Sequence, residues 1–380
     1  MRFNTRLIHA GQPVDPFTGA VNPPIYLSST FRQSAPNRNQ GYVYSRSGNP
    51  TRAVLETALA RLEGGSTGLA FSSGLGALAT LLESLPSGTR IVSVDDVYGG
   101  TWRLFEHHRR QFGLSIDYVD MTDLDGLKAA LERPADLVYL ETPTNPLLRI
   151  VDLAGAVRLA RSAKAKVAVD NTFATPALQR PIEFGADLVL HSTTKYLGGH
   201  SDIIGGALVA KDRALGKDLL WLQNAVGAVP SPFDCFLTLR GVRTLGVRMR
   251  AHEEAARAVA DELDGARKVR EVYYPGLARH PQHRLARRQM DGYGGMVSVE
   301  VEGGRAAALR FLRGLSVFTL AESLGGVESL VDHPASMTHA SVPRREREAH
   351  GVRDGLVRLS CGIEDPADLA DDVRAALRRT

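Results

Sequence analysis

The sequence predicts an α/β protein: a large domain on a mostly parallel, seven-stranded sheet covered by helices, then a smaller C-terminal α/β domain. Three observations carry this reading. Seven short apolar runs, TGLAF, RIVSVD, SIDYVD, DLVYLE, KVAVD, DLVLHS and GALVA, alternate with longer amphipathic stretches. Strands that read as buried and alternate with helices imply a parallel sheet with both faces covered. Near residue 250 the character changes: the long helical stretch VRMRAHEEAARAVADELDGA gives way to GGMVSVEVEG and a strand–helix pattern ending in PADLADDVRAALRR.

Taken in order, residues 1–47 are rich in Pro, Gly, Asn and Ser and show no helical period. They cannot bury a face of their own and read as an arm lying on something else. Residues 48–250 form the large domain. It opens with TRAVLETALARLEG, where Gly64 and Gly65 stop the helix. LGALATLLESL, TWRLFEHHRRQF, LDGLKAALE and LAGAVRLARSA supply further helices between the strands. Residues 251–380 form the small domain.

Composition bounds the function classes. At 380 residues the chain is too long for one ordinary core. With 43% hydrophobic and 23% charged residues it has the mix of a soluble globular protein. No apolar run is long enough for a membrane span, and MRFNTRLIHAGQPVDP lacks the apolar core of a secretory signal. A cytoplasmic protein is expected. The net charge of +4 comes from interspersed residues, and the densest cluster, RREREAH near residue 344, is of mixed sign. A solvated face is the expectation there, with no nucleic-acid or membrane partner. The two cysteines, Cys235 and Cys361, are too few for a disulfide framework or a zinc site and read as buried thiols; no metal is expected.

In such sheets, ligands gather at the carboxyl ends of strands. After LAF comes SSGLGALAT, a glycine-rich turn into a helix N-terminus. Its free amides and positive dipole end suit an anion, so Ser73, Gly74 and Leu75 are candidates for holding a phosphate. A rival reading exists: Gly74, Gly76 and Ala79 satisfy G-x-G-x-x-A, and Asp95 ends the next strand, as in a nicotinamide dinucleotide site. A plain tight turn is a third. KVAVD ends in Asp170-Asn171-Thr172, and a carboxylate there is costly unless it meets a cation or caps the next helix. A cofactor's pyridinium N–H is one such cation.

DLVLHS runs into Ser192-Thr193-Thr194-Lys195. The chain has seven lysines against 39 arginines, so a lysine in a strand-end loop stands out. Lysine forms an imine with an aldehyde, which arginine cannot. Ser192 and Thr194 add hydroxyls for a phosphate on the same turn. Anion cradle, carboxylate and amine, in that order along strand ends, are the three things pyridoxal phosphate (PLP) requires; the nicotinamide reading accounts only for the first. Tyr98, after RIVSVD, is an aromatic that can stack on a flat ring, or a loop tyrosine packed on a helix. His107, His108, His280 and His283 read as ordinary polar residues.

At this point the chain resembles the Cys/Met-metabolism family of PLP enzymes, of fold-type I. The resemblance spans nearly the whole chain, through PPIYLSSTF, YSRSGNPTR, FSSGLGA, DDVYGGTWRLF, ETPTNPLL, VDNTFATP, HSTTKYLGGHSD, LTLRGVRTL, FTLAESLGGVESL, MTHAS and LVRLSCGIED. It implies that Lys195 is the Schiff-base lysine and general base and that Asp170 pairs with the ring nitrogen. Tyr98 would stack on the ring as a second catalytic group. Ser73, Gly74, Leu75, Ser192 and Thr194 would hold the phosphate, with Thr172 also on the cofactor side. Tyr44 and Arg46, in YSRSGNP, would reach the phosphate of a neighbouring subunit, making the active unit at least a dimer and, in this family, usually a homotetramer. Arg358 would clamp the α-carboxylate of a small amino-acid substrate, with Asn145, Ser323 and Arg103 nearby, and Glu322 in LAESLGG would bind a distal ammonium.

The resemblance is strongest to the γ-lyases and γ-synthases of cystathionine. Methionine γ-lyases carry a Cys where this chain has Gly100, and cystathionine β-lyases usually lack the AESLGG run. The expected activity is γ-elimination of cystathionine; γ-replacement on an acyl-homoserine, with cysteine or as a sulfhydrylase, is the alternative within the family.

Overall fold

All seven strand runs form strands. In the computed structural model, which describes Met1–Thr380, the strands are β1 (Thr67–Phe71), β2 (Arg90–Val94), β3 (Ser115–Val119), β4 (Leu137–Glu141), β5 (Lys166–Asp170), β6 (Leu188–Ser192), β7 (Gly206–Ala210), β8 (Val269–Tyr273), β9 (Met296–Val301), β10 (Thr319–Leu320), β11 (Leu330–Asp332) and β12 (Leu356–Ser360). The first seven belong to a larger, mostly parallel sheet and the last five to a smaller one. The fold is α/β, as the pattern predicts. The chain divides into two units, Met1–Pro86 with Arg180–Gly246, and Ser87–Gln179 with Val247–Thr380.

In the first unit β7 lies between β1 and β6 and runs antiparallel to both, with Leu208 opposite Leu69 on one side and Leu190 on the other. A parallel return needs a crossover of a dozen or more residues, usually a helix. The segment from Thr193 to Gly205 contains none, so GALVA comes back antiparallel. The helix Pro50–Glu63 packs on this layer. Proline opens it, the Asn49 side chain accepts from the Thr51 and Arg52 amides, and Gly64 ends it in the left-handed region. Leu55, Leu59 and Leu62 from this helix and Leu69, Phe71, Leu190 and Leu208 from the strands are all buried. Each contributes about 1.5–3 kcal/mol.

The arm departs from expectation at its start. Phe3–His9 is helical, with Leu7 buried and set against Gly246. Seven residues with one apolar anchor are too few to show a period, and such a helix is stabilised by packing rather than propensity. The rest of the arm is extended, with Phe17, Val21 and Leu27 exposed.

The second unit holds β5-β4-β2-β3, paired parallel throughout. Helices Gly99–Phe112, Leu124–Ala130 and Leu153–Ser162 connect these strands, the alternation the sequence predicts. The smaller sheet runs β10-β11-β12-β9-β8. Its core combines Val297, Val299, Val357 and Leu359 from the strands with Val259, Leu263, Phe311 and Val373 from the helices. RREREAH forms the helix Arg344–Ala349, with Arg344 paired to Glu348 one turn on and Arg347 to Asp354. Both cysteines are buried and free.

Candidate active site

In the first unit, β1 delivers the chain into the helix Gly74–Glu83. Ser73 caps it, its hydroxyl accepting from the Gly76 amide at 2.9 Å and its carbonyl from the Ala77 amide. The amides of Gly74 and Leu75 therefore stand at the helix head, where orphan N–H groups and the dipole favour an anion. The floor of this turn is closely packed. A Cβ on Gly206, at the start of β7, would lie 2.1 Å from the Ser73 carbonyl oxygen, and one on Gly74 would lie 3.0 Å from Ser192 Cβ. Backbone and hydroxyl groups thus crowd closely around this turn.

Ser192 ends β6, and the turn that follows is held by its own backbone. The Lys195 amide donates to the Ser192 carbonyl at 3.3 Å, the Gly198 amide to Thr193, and the Gly199 amide to Lys195. The Thr194 hydroxyl accepts from the Gly205 amide at 3.0 Å and donates to the Gly205 carbonyl at 3.2 Å. Thr194 thus first stitches the two ends of the lysine loop together; its proton reaches a phosphate only by turning away from Gly205. Lys195 is half-buried on this turn. Tyr44 and Arg46 are exposed on the arm, with the guanidinium 5.8 Å from the tyrosine ring and donating to the Asn224 carbonyl at 2.7 Å.

In the second unit, Tyr98 leads into the helix Gly99–Phe112, and its amide donates to the Glu141 carboxylate at 3.0 Å. Its ring folds over Gly100, where a Cβ would lie 2.3 Å from a ring carbon. Asp170 stands at the end of β5, directly opposite Glu141 at the end of β4. One Asp170 oxygen accepts from the Thr172 amide at 3.0 Å. The loop beyond is pinned by buried amides: Asn171 donates to the Gln179 carbonyl, and Gln179 donates to Asn171 and to the Thr142 carbonyl.

Burial, then the Asp170 charge, pushes Glu141 well above the usual carboxylate range. Tyr139, one turn of the pleat earlier on β4, is pushed up by burial and then by the same two acids. Asp96 is raised to about 6, chiefly by burial, with the Thr144 hydroxyl donating to it at 2.5 Å. Acids crowded in a low-dielectric site hold their protons more tightly, and a cation brought beside them would favour ionisation of one of them.

Three of the five residues expected to bind substrate meet in this unit; Glu322 and Arg103 are not joined to them. Arg358, buried on β12, donates to Asn145 Oδ1 at 2.8 Å and to the Ser323 carbonyl at 3.1 Å. It is ion-paired with Asp332, its cross-strand neighbour on β11. Ser323 has φ +100°, a left-handed conformation unusual for serine that accompanies the turn of its carbonyl towards Arg358. Glu322, the preceding residue, is exposed. Arg103 is exposed and donates to the Ser341 hydroxyl at 3.1 Å. Asp95, the acid of the nicotinamide alternative, is engaged instead by Arg149 at 3.5 Å and His350 at 3.0 Å.

Sequence reasoning passed over Glu141 and Asp332. The strand-end argument that singles out Asp170 applies equally to Glu141. Asp332 carries no local signal, because its partner lies 26 residues on and meets it only across a sheet.

Taken separately, the first unit holds an amide-lined helix head and hydroxyls that suit a phosphate such as that of PLP, and the second holds paired strand-end carboxylates that suit a cation such as its ring nitrogen. The chain matches the family described as Cys/Met metabolism PLP-dependent enzyme over residues 4–378. A cystathionine β-lyase of Coxiella burnetii is 52% identical over 376 residues, covering 98% of this chain and 97% of the relative. A cystathionine γ-lyase of Dictyostelium discoideum is 50% identical over 377 residues, covering 99% and 97%. Among solved structures, cystathionine γ-synthase of Xanthomonas oryzae pv. oryzae, in complex with aminoacrylate and cysteine, superposes with a TM-score of 0.97 at 52% identity, over 100% of this chain and 98% of that one. A match of this extent leaves one conclusion: the chain belongs to the Cys/Met-metabolism family of PLP-dependent enzymes.

Proposed function

We propose that this PLP-dependent enzyme is a cystathionine γ-lyase, converting L-cystathionine and water to cysteine, 2-oxobutanoate and ammonia. The observation that carries the reading is on one short segment. Ser323, whose carbonyl is bound by Arg358, is preceded by the exposed carboxylate of Glu322. Arg358 suits the α-carboxylate of the reacting end, and Glu322 suits a distal ammonium. Cystathionine carries an amino-acid group at each end; an acyl-homoserine carries one.

The proposed division of labour follows from the residue types. Lys195 anchors the cofactor through its amine and, once displaced by the substrate's amine, takes the proton from Cα. PLP supplies an electron sink for the pair left on Cα, provided its ring nitrogen stays charged. Asp170 supplies the countercharge that keeps it so, and Tyr98 covers one ring face. Arg358 and Asn145 fix the carboxylate and with it the orientation of the Cα–H bond. Loss of a second proton, from Cβ, then releases the cysteine thiol from Cγ. Ser73, Gly74, Leu75, Ser192 and Thr194 hold the phosphate, Thr172 supports Asp170, and Arg103 stays near the entrance on the Ser341 side. Tyr44 and Arg46 are proposed to serve a neighbouring subunit's phosphate, making the active unit at least a dimer.

A second reading has its own support. The solved γ-synthase holds cysteine, the thiol substrate of γ-replacement, at 52% identity to this chain. Related proteins named β-lyase and γ-lyase are 52% and 50% identical, so overall similarity does not choose among the reactions. The products do. Cystathionine alone should yield 2-oxobutanoate and cysteine, with a higher kcat/KM than an acylated homoserine plus cysteine. Pyruvate and homocysteine would make it a β-lyase, and faster condensation would make it a synthase.

A further inference from the structure

Glu141 is a buried carboxylate beside the expected cofactor residues to which the family resemblance assigns no role. It is 4% exposed and forms no ion pair. It stands at the same level as Asp170 on the adjacent strand, so both side chains leave the sheet on the same face. Its Oε2 accepts the Tyr98 amide at 3.0 Å, and the Asn145 amide lends it a second, weaker hydrogen bond. One side chain therefore touches or neighbours three expected site residues: the ring-stacking tyrosine, the ring-nitrogen aspartate and the carboxylate-binding asparagine.

The groups facing Glu141 are acidic from every direction. Asp170 comes from β5, Asp96 from the segment after β2, and Tyr139 from β4 itself. Arg149 pairs with Asp95 and acts on Asp96, and no arginine is among the main groups acting on Glu141. A buried acid between two others, with no cation of its own, retains its proton, since two adjacent carboxylates do not both ionise cheaply.

We propose that Glu141 is a positioning residue for the cofactor ring: a neutral carboxyl that fixes the Tyr98 backbone and leaves Asp170 as the charged partner of the ring nitrogen. The inference rests on the reading of Asp170 given above. Two jobs follow for the one group. As an acceptor it sets where the Tyr98 ring enters; as an uncharged neighbour it lets Asp170 carry the single negative charge that a ring cation neutralises.

The test uses full-length holoenzyme and three variants, Glu141→Gln, Glu141→Ala and Asp170→Asn. The readouts are PLP dissociation constant, cofactor absorption band against pH, melting temperature, kcat and KM. Alanine removes the acceptor and should weaken PLP binding and lower kcat by about tenfold or more, as small misplacements at a reacting centre do, with KM little changed. Glutamine keeps an acceptor oxygen without a titrating proton and should restore both to within about threefold of wild type. At alkaline pH the wild-type band should change as Glu141 ionises beside Asp170, and Glu141→Gln should lack that change.

A glutamine variant as impaired as alanine would mean that the charge is needed, and would overturn the proposal. So would an alanine variant with lower melting temperature but unaltered band and PLP affinity, the mark of a purely structural role. If the alanine variant is insoluble, Glu141→Gln decides alone: near-wild-type affinity without the alkaline change upholds the proposal, and any other profile overturns it. Asp170→Asn keeps the two layers apart. If it leaves the band and affinity intact, the Asp170 reading fails; if it abolishes them while both Glu141 variants match wild type, only the present inference fails.

Discussion

The two units place different materials at the positions expected to carry the chemistry. In the first, the helix head at Gly74 and the lysine turn are made of amides, carbonyls and hydroxyls, closed by Thr194 on Gly205 and floored by Gly206. In the second, buried Glu141 and Asp96 with half-buried Asp170, and the buried pair of Arg358 with Asp332, supply acids and charges. A backbone cradle is rigid, indifferent to pH and sensitive to added volume. A cluster of acids and ion pairs is sensitive to the loss of any member, because the partner left behind is uncompensated. The comparison assigns each unit a distinct mode of failure, and substitutions can test each one.

The largest effect belongs to the one reactive side chain of the first unit. Lys195→Ala should lower kcat by about 10³-fold or more, since anchor and general base go together. It should leave the melting temperature near the wild-type value, because the turn's own backbone hydrogen bonds survive the substitution. Residual turnover within tenfold of wild type would remove Lys195 from the chemistry.

Next comes the charged cluster of the second unit. Arg358→Ala strands Asp332 at 1% side-chain exposure, and breaking one side of a buried pair costs about 3–5 kcal/mol. Both stability and kcat/KM should fall, the latter by about 10²-fold or more if the substrate carboxylate loses a clamp of similar strength. Lysine at this position should rescue stability better than activity, since it restores the charge but not the planar fork. Equal rescue of both would mean that Arg358 is a structural ion only.

The third effect probes volume. Gly206→Ala sets a methyl carbon 2.1 Å from the Ser73 carbonyl, with backbone on both sides, so the turn must move. Overpacking of this kind costs about 1–3 kcal/mol. PLP affinity should weaken by about tenfold, the equivalent of about 1.4 kcal/mol. Unchanged affinity, measured by titrating the apoprotein, would mean that this turn does not carry the phosphate.

The same contrast explains what the sequence made legible. Strands and their order along the chain were readable because each buried run is a local signal. The reversal of β7 was not, since it depends on the absence of a crossover helix between Thr193 and Gly205 rather than on the strand itself. The helix Phe3–His9 was hidden because a single anchor, Leu7, has no period. Lys195 drew notice because lysine is rare in this chain, and Asp170 and the Gly74 turn because a carboxylate and a glycine-rich turn stood at strand ends. Asp332 was not, because its meaning comes from register: only the pairing of β11 with β12 sets it against Arg358. Glu141 lay between these cases, in a readable position but with its significance fixed by the neighbour across the strand.

The smallest effect separates the units by pH. The lysine turn is stitched by Thr194 and Gly205, which do not titrate, so its contribution should be flat between pH 5 and 9. The second unit holds His350 against Asp95, with Arg149 and Asp96 close by. The hydrogen bond to Asp95 raises His350 above its ordinary value, against the opposing effect of burial. Burial works to raise Asp95, but His350 and Arg149 outweigh it and hold it below the ordinary aspartate value. The signs then differ. The His350 contribution is complete below about pH 6.5, its unfolded value, and is lost as pH climbs through the raised folded value. The Asp95 contribution is present above about pH 4 and is lost as pH falls through its lowered folded value. His350→Gln removes the first and leaves the Arg149 pair. Its melting temperature should trail wild type by no more than about 2–4 °C, the shift that about 1 kcal/mol makes in domains of 150–250 residues. The gap should be widest near pH 5–6 and close as pH rises past 8. A gap that stays constant over that range would show that His350 contributes packing rather than charge, and the electrostatic half of the comparison would then rest on Arg358 and the acids alone.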